Sequence, residues 1–195
     1  LEYCCCRLYT TTPMLLLRYF TAVWSGALLF AVAQPTQAQN TIQPDATLGN
    51  EGSRITPDAL IRGDLADLIE GGAIRGSNLF HSFLDFNLEN GGRVYFVNPD
   101  GIDSIFSRIT GSAPSKIFGT LGVDGTADLF LLNPNGIVFG EDAALDVGGS
   151  FTATTASGVQ FGNEGRFSAV APETPATSLT IPPSALFFNQ LERSE

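Results

Sequence analysis

The sequence predicts an all-β fold, namely a right-handed parallel β-helix built as a single-stranded solenoid. The first observation is that short apolar runs recur between residues 94 and 161 with Gly, Asn or Asp between them. Strands this short stack more readily as rungs of a solenoid than as the long hairpins of a sandwich. The second is composition, because 21 glycines in 195 residues strongly disfavour helices.

Two copies of one turn phrase give the third observation. Asn98-Pro99-Asp100-Gly101-Ile102 and Asn133-Pro134-Asn135-Gly136-Ile137 lie thirty-five positions apart, and each follows four apolar residues. Proline suits the second position of a turn, Asp or Asn tolerates left-handed backbone, and glycine accepts a positive φ. The leading Asn is held extended by the proline, and its amide can close the turn onto the backbone. The phrases therefore predict strand, sharp corner and strand in a repeating β-coil.

Three other stretches complete the predicted elements. Residues 58–70 carry apolar positions at both helical and strand spacing, but the frequent glycines around them favour short strands joined by turns. The apolar runs 80–88 and 94–97 flank Asn90-Gly91-Gly92, which predicts a β-hairpin. Near the C-terminus, a Pro- and Thr-rich stretch predicts a loop or linker, followed by two strand candidates, Leu179-Thr180-Ile181 and Ala185-Leu186-Phe187-Phe188.

The N-terminal region predicts export. Residues 14–38 read as a secretory signal peptide, because Arg18 precedes an apolar run and small residues precede Gln39. A transmembrane anchor is the alternative, but the apolar run is about fifteen residues against the roughly twenty that a spanning helix requires. Residues 1–13, which hold all three cysteines, are predicted to be an upstream extension. The predicted division is 1–13, then 14–38, then a β-helix domain at 39–170, then a linker with a candidate strand at 171–195.

Charge and motif content exclude several functions. The net charge of −10, with only ten Lys and Arg, argues against a nucleic-acid partner, since such proteins cluster basic residues. There is no phosphate loop, zinc spacing or dinucleotide fingerprint, so the sequence predicts neither a cofactor nor a metal site.

Catalysis is not predicted either. His81 is the only histidine, and the side chain of its neighbour Ser82 points to the opposite face of a strand. We expect a structural histidine, hydrogen-bonded at the edge of an aromatic cluster. Acid pairs could do acid–base work or bind calcium, but they fall at turns, where we expect solvated side chains; these pairs are Asp100 with Asp103 and Glu141 with Asp142.

Several motifs in order resemble the N-terminal domain of filamentous-haemagglutinin-like exoproteins, also called the haemagglutination activity domain of two-partner secretion systems. The resemblance covers about residues 40–170 and rests on 75–83, on 105–111 and above all on Leu131-Leu132-Asn133-Pro134-Asn135-Gly136-Ile137-Val138-Phe139-Gly140. It implies a β-helix whose start is capped by extra strands. It also implies recognition by an outer-membrane pore with periplasmic domains. Many members carry an earlier Asn-Pro-Asn-Leu motif, where this chain reads Asn-Pro-Asp-Gly-Ile.

The function implied by the resemblance is a secretion-targeting module of an exported adhesin- or haemagglutinin-like protein. Such a protein is secreted or held at the cell surface after passing the periplasm and outer membrane, and a host or neighbouring cell surface is a further partner. Two alternatives remain open: a truncated, non-functional remnant of a longer exoprotein, and a β-helical carbohydrate-active enzyme. The two Asn-Pro phrases are the candidate site, where the residues either form the turn or also present a surface to the transporter.

Overall fold

The computed structural model describes residues 40–188. The predicted extension at 1–13 and the signal peptide at 14–38 lie outside the described residues. In chain order the described strands are β1 (Thr41–Pro44), β2 (Ser53–Ile61), β3 (Asp64–Gly71), β4 (Ala73–Arg75), β5 (Asn78–Asn87), β6 (Arg93–Val97), β7 (Ser104–Ile109), β8 (Ser115–Ile117), β9 (Thr120–Asp124), β10 (Asp128–Leu132), β11 (Ile137–Phe139), β12 (Ala144–Asp146), β13 (Phe151–Thr154), β14 (Gly158–Phe161), β15 (Gly165–Ser168) and β16 (Ala185–Phe187).

Helix is nearly absent from this part of the chain. One short 3-10 turn, Gly49–Glu51, follows β1. Over residues 40–188, no helix has the length and apolar character needed to cross a membrane.

Three sheets form the walls of a β-solenoid of about four coils. Sheet A has the order β1-β5-β7-β10-β13, sheet B the order β12-β9-β6-β3-β2, and sheet C pairs β11 with β8. Each of the first three coils passes through sheet B, then sheet A, then the sheet C side, where the first coil contributes only the Leu88 to Ile117 bridge. Stacked strands within each wall are parallel, except at the N-terminal edge, where β1, β2 and β4 pair antiparallel. The predicted solenoid with capping strands is confirmed.

The spacing of the two turn phrases is not the repeat of the solenoid. The ladder that joins Leu79, Ile105, Leu129 and Phe151 shows that one coil advances 22 to 26 residues. The phrase at 98–102 turns the chain from sheet B to sheet A, whereas the phrase at 133–137 turns it from sheet A to sheet C. Similar turn chemistry therefore marks two different corners.

The hairpin predicted across Asn90-Gly91-Gly92 is wrong. Strand β5 lies in sheet A and pairs with β7, whereas β6 lies in sheet B between β3 and β9. The turn residues are real, but they bend the chain at a solenoid corner, because the parallel neighbours of each strand outcompete pairing between the two runs. Hairpins occur instead at β2–β3, β4–β5 and β14–β15. The first of these confirms the short strands expected around residues 58–70.

Two apolar clusters lie on the two faces of sheet A. The interior cluster fills the solenoid and includes Leu79, Ile105 and Leu129, each at most 1% exposed. On the outer face, Phe80, Phe106 and Phe130 stack along the ladder with ring centroids 5.3 and 4.7 Å apart. Stacked aromatic rings bury a large apolar area, so the outer face of the sheet carries an apolar cluster of its own.

The outer face of sheet A is covered by residues 155–188, which we call the C-terminal flank. Its three strands form a separate antiparallel sheet, and Phe161, Phe167 and Leu179 pack against the stacked phenylalanines. Leu179 lies in a turn, so the strand predicted at 179–181 is wrong, whereas the strand at 185–187 is confirmed. The burial of Leu179 against the outer cluster explains its apolar character without strand pairing.

Residues 40–51, which we call the N-terminal cap, lie at the N-terminal edge of sheet A. Strand β1 adds an antiparallel edge to β5. Ile42 packs against the interior cluster, and Leu48 is 1% exposed within the outer cluster. The cap therefore covers the first coil on both faces of sheet A.

Candidate functional site: two Asn-Pro corners

The corner after β10 is a tight β-turn. The N–H of Gly136 donates to the carbonyl of Asn133 at 3.0 Å, and Pro134 occupies the second position. The side-chain oxygen of Asn133 accepts the N–H of Asn135 at 2.9 Å, which is an Asx turn. Gly136 has φ 115°, a region that side chains rarely adopt. The positive φ expected for this glycine is confirmed.

Asn133 also links this turn to the neighbouring coils. Its side chain is 0% exposed, and its amide donates to the carbonyl of Ala113 at 3.1 Å and to Ser115 Oγ at 3.0 Å, both at the corresponding corner of the preceding coil. Its backbone N–H donates to the carbonyl of Thr154 in the following coil. Asn133 is thus a buried clamp among three coils.

The exposed part of this corner lies beside Asn133. Asn135 is exposed, although its amide donates to the carbonyl of Gly111 at 2.8 Å. Val138 and Phe139 in β11 are 49% and 42% exposed, whereas Ile137 packs against the interior cluster.

The corner before β7 uses its turn residues differently. Here the β-turn spans Pro99 to Ile102, whose N–H donates to the Pro99 carbonyl at 3.2 Å, so proline occupies the first position and not the expected second. Gly101 has φ 81°, as expected, and Asp100 is exposed. The Asn98 amide donates to the carbonyls of Pro99 and Ile102 and closes the loop from its inner side.

Asn98 reaches forward along the solenoid. Its side-chain oxygen accepts the N–H groups of Thr126 and Ala127 in the next coil, both at 3.0 Å. A Cβ at Gly125 would collide with the Asn98 side chain, so glycine is needed where the two coils meet. Asn98 remains partly exposed, unlike Asn133.

The two corners do not form a single site. One precedes a strand of sheet A and the other follows a strand of the same parallel sheet, so they lie at opposite ends of its strands. Instead, each corner is hydrogen-bonded to a neighbouring coil at its own edge of the solenoid.

His81 occupies the structural position expected for it. It is 0% exposed, its Nδ1 lies 2.9 Å from Ser53 Oγ, and its ring lies against Phe83 and Phe96. Burial lowers the pKa of this imidazole from 6.5 to about 3, so the histidine is neutral.

The acid pairs also lie where the sequence indicates. All four carboxylates are exposed, three of them in turns and Asp103 directly before β7. Within the described part of the chain, no group of three or more His, Cys, Asp and Glu side chains is placed to hold a metal ion.

The sequence pattern did not predict one buried polar cluster. Arg108 in β7 is 0% exposed, and its Nε donates to Ser82 Oγ at 2.8 Å. Ser82 in turn donates to Asp45 at 2.7 Å. Burial opposes ionisation of Asp45, but hydrogen bonds from Thr110, Thr47 and Ser82 outweigh it and lower its pKa below 3.8. The signal available in the sequence was one arginine in a strand that otherwise holds only serine, isoleucine and phenylalanine.

The fold and corners define a class: a β-solenoid module stapled at its corners by buried or half-buried asparagines. Comparison with protein families gives the particular family, because the model of the TPS secretion domain matches residues 40–193. The chain belongs to this family, which confirms the resemblance to two-partner secretion exoproteins.

A curated relative agrees with this assignment. The chain is 25% identical over 131 residues to a heme/hemopexin-binding protein of Haemophilus influenzae, and the match covers 67% of this chain. It spans only 13% of the relative's length. No solved structure shows significant similarity.

Family membership establishes the general function. The TPS secretion domain is the secretion-targeting module of two-partner secretion exoproteins, and an outer-membrane transporter recognises it. Such exoproteins are secreted across the outer membrane. Neither the remnant nor the carbohydrate-active enzyme is favoured by the match.

Proposed function

We propose that this module is handed to a pore-forming outer-membrane transporter through the periplasmic domains of that transporter, after the signal peptide at residues 14–38 has directed export. The family match over residues 40–193 supports the proposal. In this proposal the larger exoprotein acts as a surface or secreted adhesin, with a host or neighbouring cell as its partner.

The surface proposed for recognition is the exposed side of the corner at 133–137. Val138 is half exposed in β11, and within residues 40–188 that strand pairs on one side only, with β8. In natural proteins, edge strands usually carry charged residues, are short or are covered, because an unpaired edge can pair with another strand. This free apolar edge carries the proposal, since it fits an extended segment of the transporter's periplasmic domains.

The role proposed for Asn133 is indirect. Its side chain makes hydrogen bonds only inside the module and is 0% exposed, so a partner can reach Asn135 and Val138 but not this amide. At the other corner, Asp100 and Gly101 are exposed while Asn98 binds the next coil. The asparagines therefore hold the corners in shape.

The proposal assigns no catalysis to the module. The single histidine is buried in an aromatic environment and kept neutral, and the acid pairs named above are spread over exposed turns. General acid–base chemistry needs such groups beside a bound substrate, and for this reason the proposal gives these residues no catalytic role.

A pair of valine substitutions tests the recognition surface. Val138→Asn places an amide on the free edge, whereas Val170→Asn changes a valine of similar exposure, 46% against 49%, on the flank. We expect Val138→Asn to lower the amount of protein in the medium several-fold in a host that carries the cognate transporter, with melting temperatures of both variants close to wild type. Equal secretion of the two variants would remove β11 from the proposed surface.

The proposed signal peptide has its own test. Mature protein recovered from an exporting host should begin at Gln39, since the small residues Thr36 and Ala38 suit the cleavage enzyme. Intact-mass analysis decides the point, and a mature species that still contains residues 14–33 contradicts it.

A further inference from the structure

One buried guanidinium joins three parts of the chain on the outer face of sheet A. Arg108 Nη2 donates to Thr47 Oγ1 in the N-terminal cap at 2.7 Å and to the Glu173 carbonyl in the C-terminal flank at 2.9 Å. Nη1 donates to the Ser168 carbonyl at 3.0 Å, and Nε donates to Ser82 on the adjacent strand. Its planar fork thus bonds to cap, wall and flank at once.

The charge on Arg108 is balanced across the same junction. Asp45 of the cap accepts hydrogen bonds from Thr47, Ser82 and Thr110, and the first two of these also accept hydrogen bonds from the guanidinium. On the flank side, the guanidinium lies 4.3 Å from the ring centroid of Phe167, an arrangement that favours a cation. A buried charge is tolerated only with such partners, and removing them is costly.

Cap and flank also touch each other directly. Thr174 Oγ1 donates to the Thr47 carbonyl at 3.0 Å, and Leu48 belongs to the same apolar cluster as Leu179. Arg108 is 61 residues after Thr47 and 65 residues before Glu173. The two ends of the module therefore meet over one residue near the middle of its sequence.

We propose that Arg108 is a lock that couples the cap to the flank, so that neither is fully ordered unless the other is docked. Without the flank, the guanidinium loses two carbonyl acceptors and its aromatic cover, and water enters the hydrogen bonds that hold the cap. A chain that emerges N-terminus first cannot set its cap until residues through Glu173 are present. This consequence for secretion rests on the proposed function, whereas the coupling itself does not.

Amide hydrogen exchange on the purified full chain measures the coupling. Asn78→Ala loosens the flank, because both side-chain hydrogen bonds of Asn78 go to the carbonyls of Leu179 and Ile181. The cap is reported by the amide of Thr47, which donates to Asp45.

The flank is reported by the amide of Ala169, which donates to the Ser157 carbonyl. The reference is the amide of Leu129, which donates to the Ser150 carbonyl between two coils. These two amides separate loosening of the flank from loosening of the whole solenoid.

The expected result is that Asn78→Ala speeds exchange in cap and flank alike, by about tenfold for one or two lost hydrogen bonds, and leaves the reference unchanged. In an Arg108→Met background, Asn78→Ala should speed amide exchange in the flank but not in the cap. Cap exchange that stays at the wild-type rate while the flank opens overturns the coupling. Cap exchange that rises equally in both backgrounds overturns the role of Arg108.

A second variant serves if Arg108→Met does not fold. Arg108→Lys keeps the charge but loses the planar fork, so the acceleration of the cap by Asn78→Ala should fall at least about threefold. Undiminished acceleration contradicts the lock. Because exchange is measured without a transporter, failure here leaves the secretion test of Val138 unaffected, and failure there leaves this test unaffected.

Discussion

The two Asn-Pro corners have nearly the same sequence and form different turns. At residues 133–137 the turn begins at Asn133, but at residues 98–102 it begins one residue later, at Pro99. The cause is what each asparagine oxygen accepts: Asn133 takes an N–H of its own turn, whereas Asn98 takes two from the next coil. The residues of a turn phrase predict that the chain bends sharply, whereas contacts with the neighbouring coil determine which residues form the bend.

The two asparagines also differ in burial, and this difference sets how much each contributes to the free energy of unfolding. A fully buried amide that loses its partners leaves unsatisfied groups, whereas water can replace the bonds of a half-exposed one. The comparison therefore predicts unequal costs for the same substitution at the two asparagines.

The largest effect is expected at the buried corner. Asn133→Ala should lower the free energy of unfolding by about 3 kcal/mol, because the Ala113 carbonyl, Ser115 Oγ and the Asn135 N–H all lose a buried partner. Urea unfolding followed by circular dichroism measures it. Ser115→Ala, which removes only one of these contacts, should cost about 1 kcal/mol. Equal costs for the two variants would show that the clamp is a single hydrogen bond.

Acid should lower stability without changing the difference between the corners, since amides do not titrate. Because the pKa of His81 is about 3 in the folded state against 6.5, the unfolded chain binds a proton first as pH falls. The contribution of the neutral His81 to the free energy of unfolding is therefore complete above pH 6.5, and it is lost progressively towards pH 3. Between pH 7 and 4.5 we expect a loss of about 2–3 kcal/mol.

The control is His81→Gln, which is neutral at every pH and should remove most of this slope above pH 4.5. Asp45 titrates only below this range, because its pKa is lowered below 3.8. Urea midpoints at several pH values give the slope. An unchanged slope in the variant would assign acid sensitivity to other groups.

Glycine replacements compare the backbone of the two corners. Gly136→Val should cost about 2–3 kcal/mol and Gly101→Val somewhat less, since φ is 115° in the first and 81° in the second. Neither site is crowded, because an added Cβ meets only Pro114 at 3.6 Å in one case and nothing within 4 Å in the other. Thermal melts rank the two variants, and the reverse order would show that the difference in φ does not set their costs.

The smallest effect is expected at Asn98. Asn98→Ala should cost about 1 kcal/mol, because its bonds to Thr126 and Ala127 lie at a corner that water reaches. A cost equal to that of Asn133→Ala would end the distinction between the corners. The denaturant slope should stay unchanged, which shows that both variants unfold the same module.

The sequence was sufficient for the features that depend on local chemistry. Positive φ at Gly101 and Gly136, the apolar strands β6 and β10 and the buried His81 all follow from residue type and pattern. Pairing is not local, however, and the turn at residues 90–92 was interpreted as a hairpin because the same residues serve hairpins and solenoid corners.

Long-range polar contacts were beyond the sequence for a related reason. Arg108 bonds to residues 61 positions before and 65 positions after it, and no spacing rule connects such positions. The same holds for Asn133, whose turn was foreseen but whose bonds to Ala113 and Ser115 depend on the stacking of two coils. Predicting contacts between coils requires the number of residues in one coil. The spacing of the two turn phrases does not give that number, because one coil advances 22 to 26 residues.

The central claim is that Asn133 acts through the structure of its corner and not by touching the transporter. The direct measurement is the secretion of Asn133→Ala beside Leu129→Ala, a change in the preceding strand β10 that removes a fully buried side chain and costs about 3 kcal/mol. Both are assayed for unfolding free energy and for protein in the medium of a host with the cognate transporter. Equal stability with equal secretion is the predicted result, because the Asn133 side chain is 0% exposed and offers the transporter no atom to bind. Secretion lost in Asn133→Ala but retained in an equally unstable Leu129→Ala contradicts the claim.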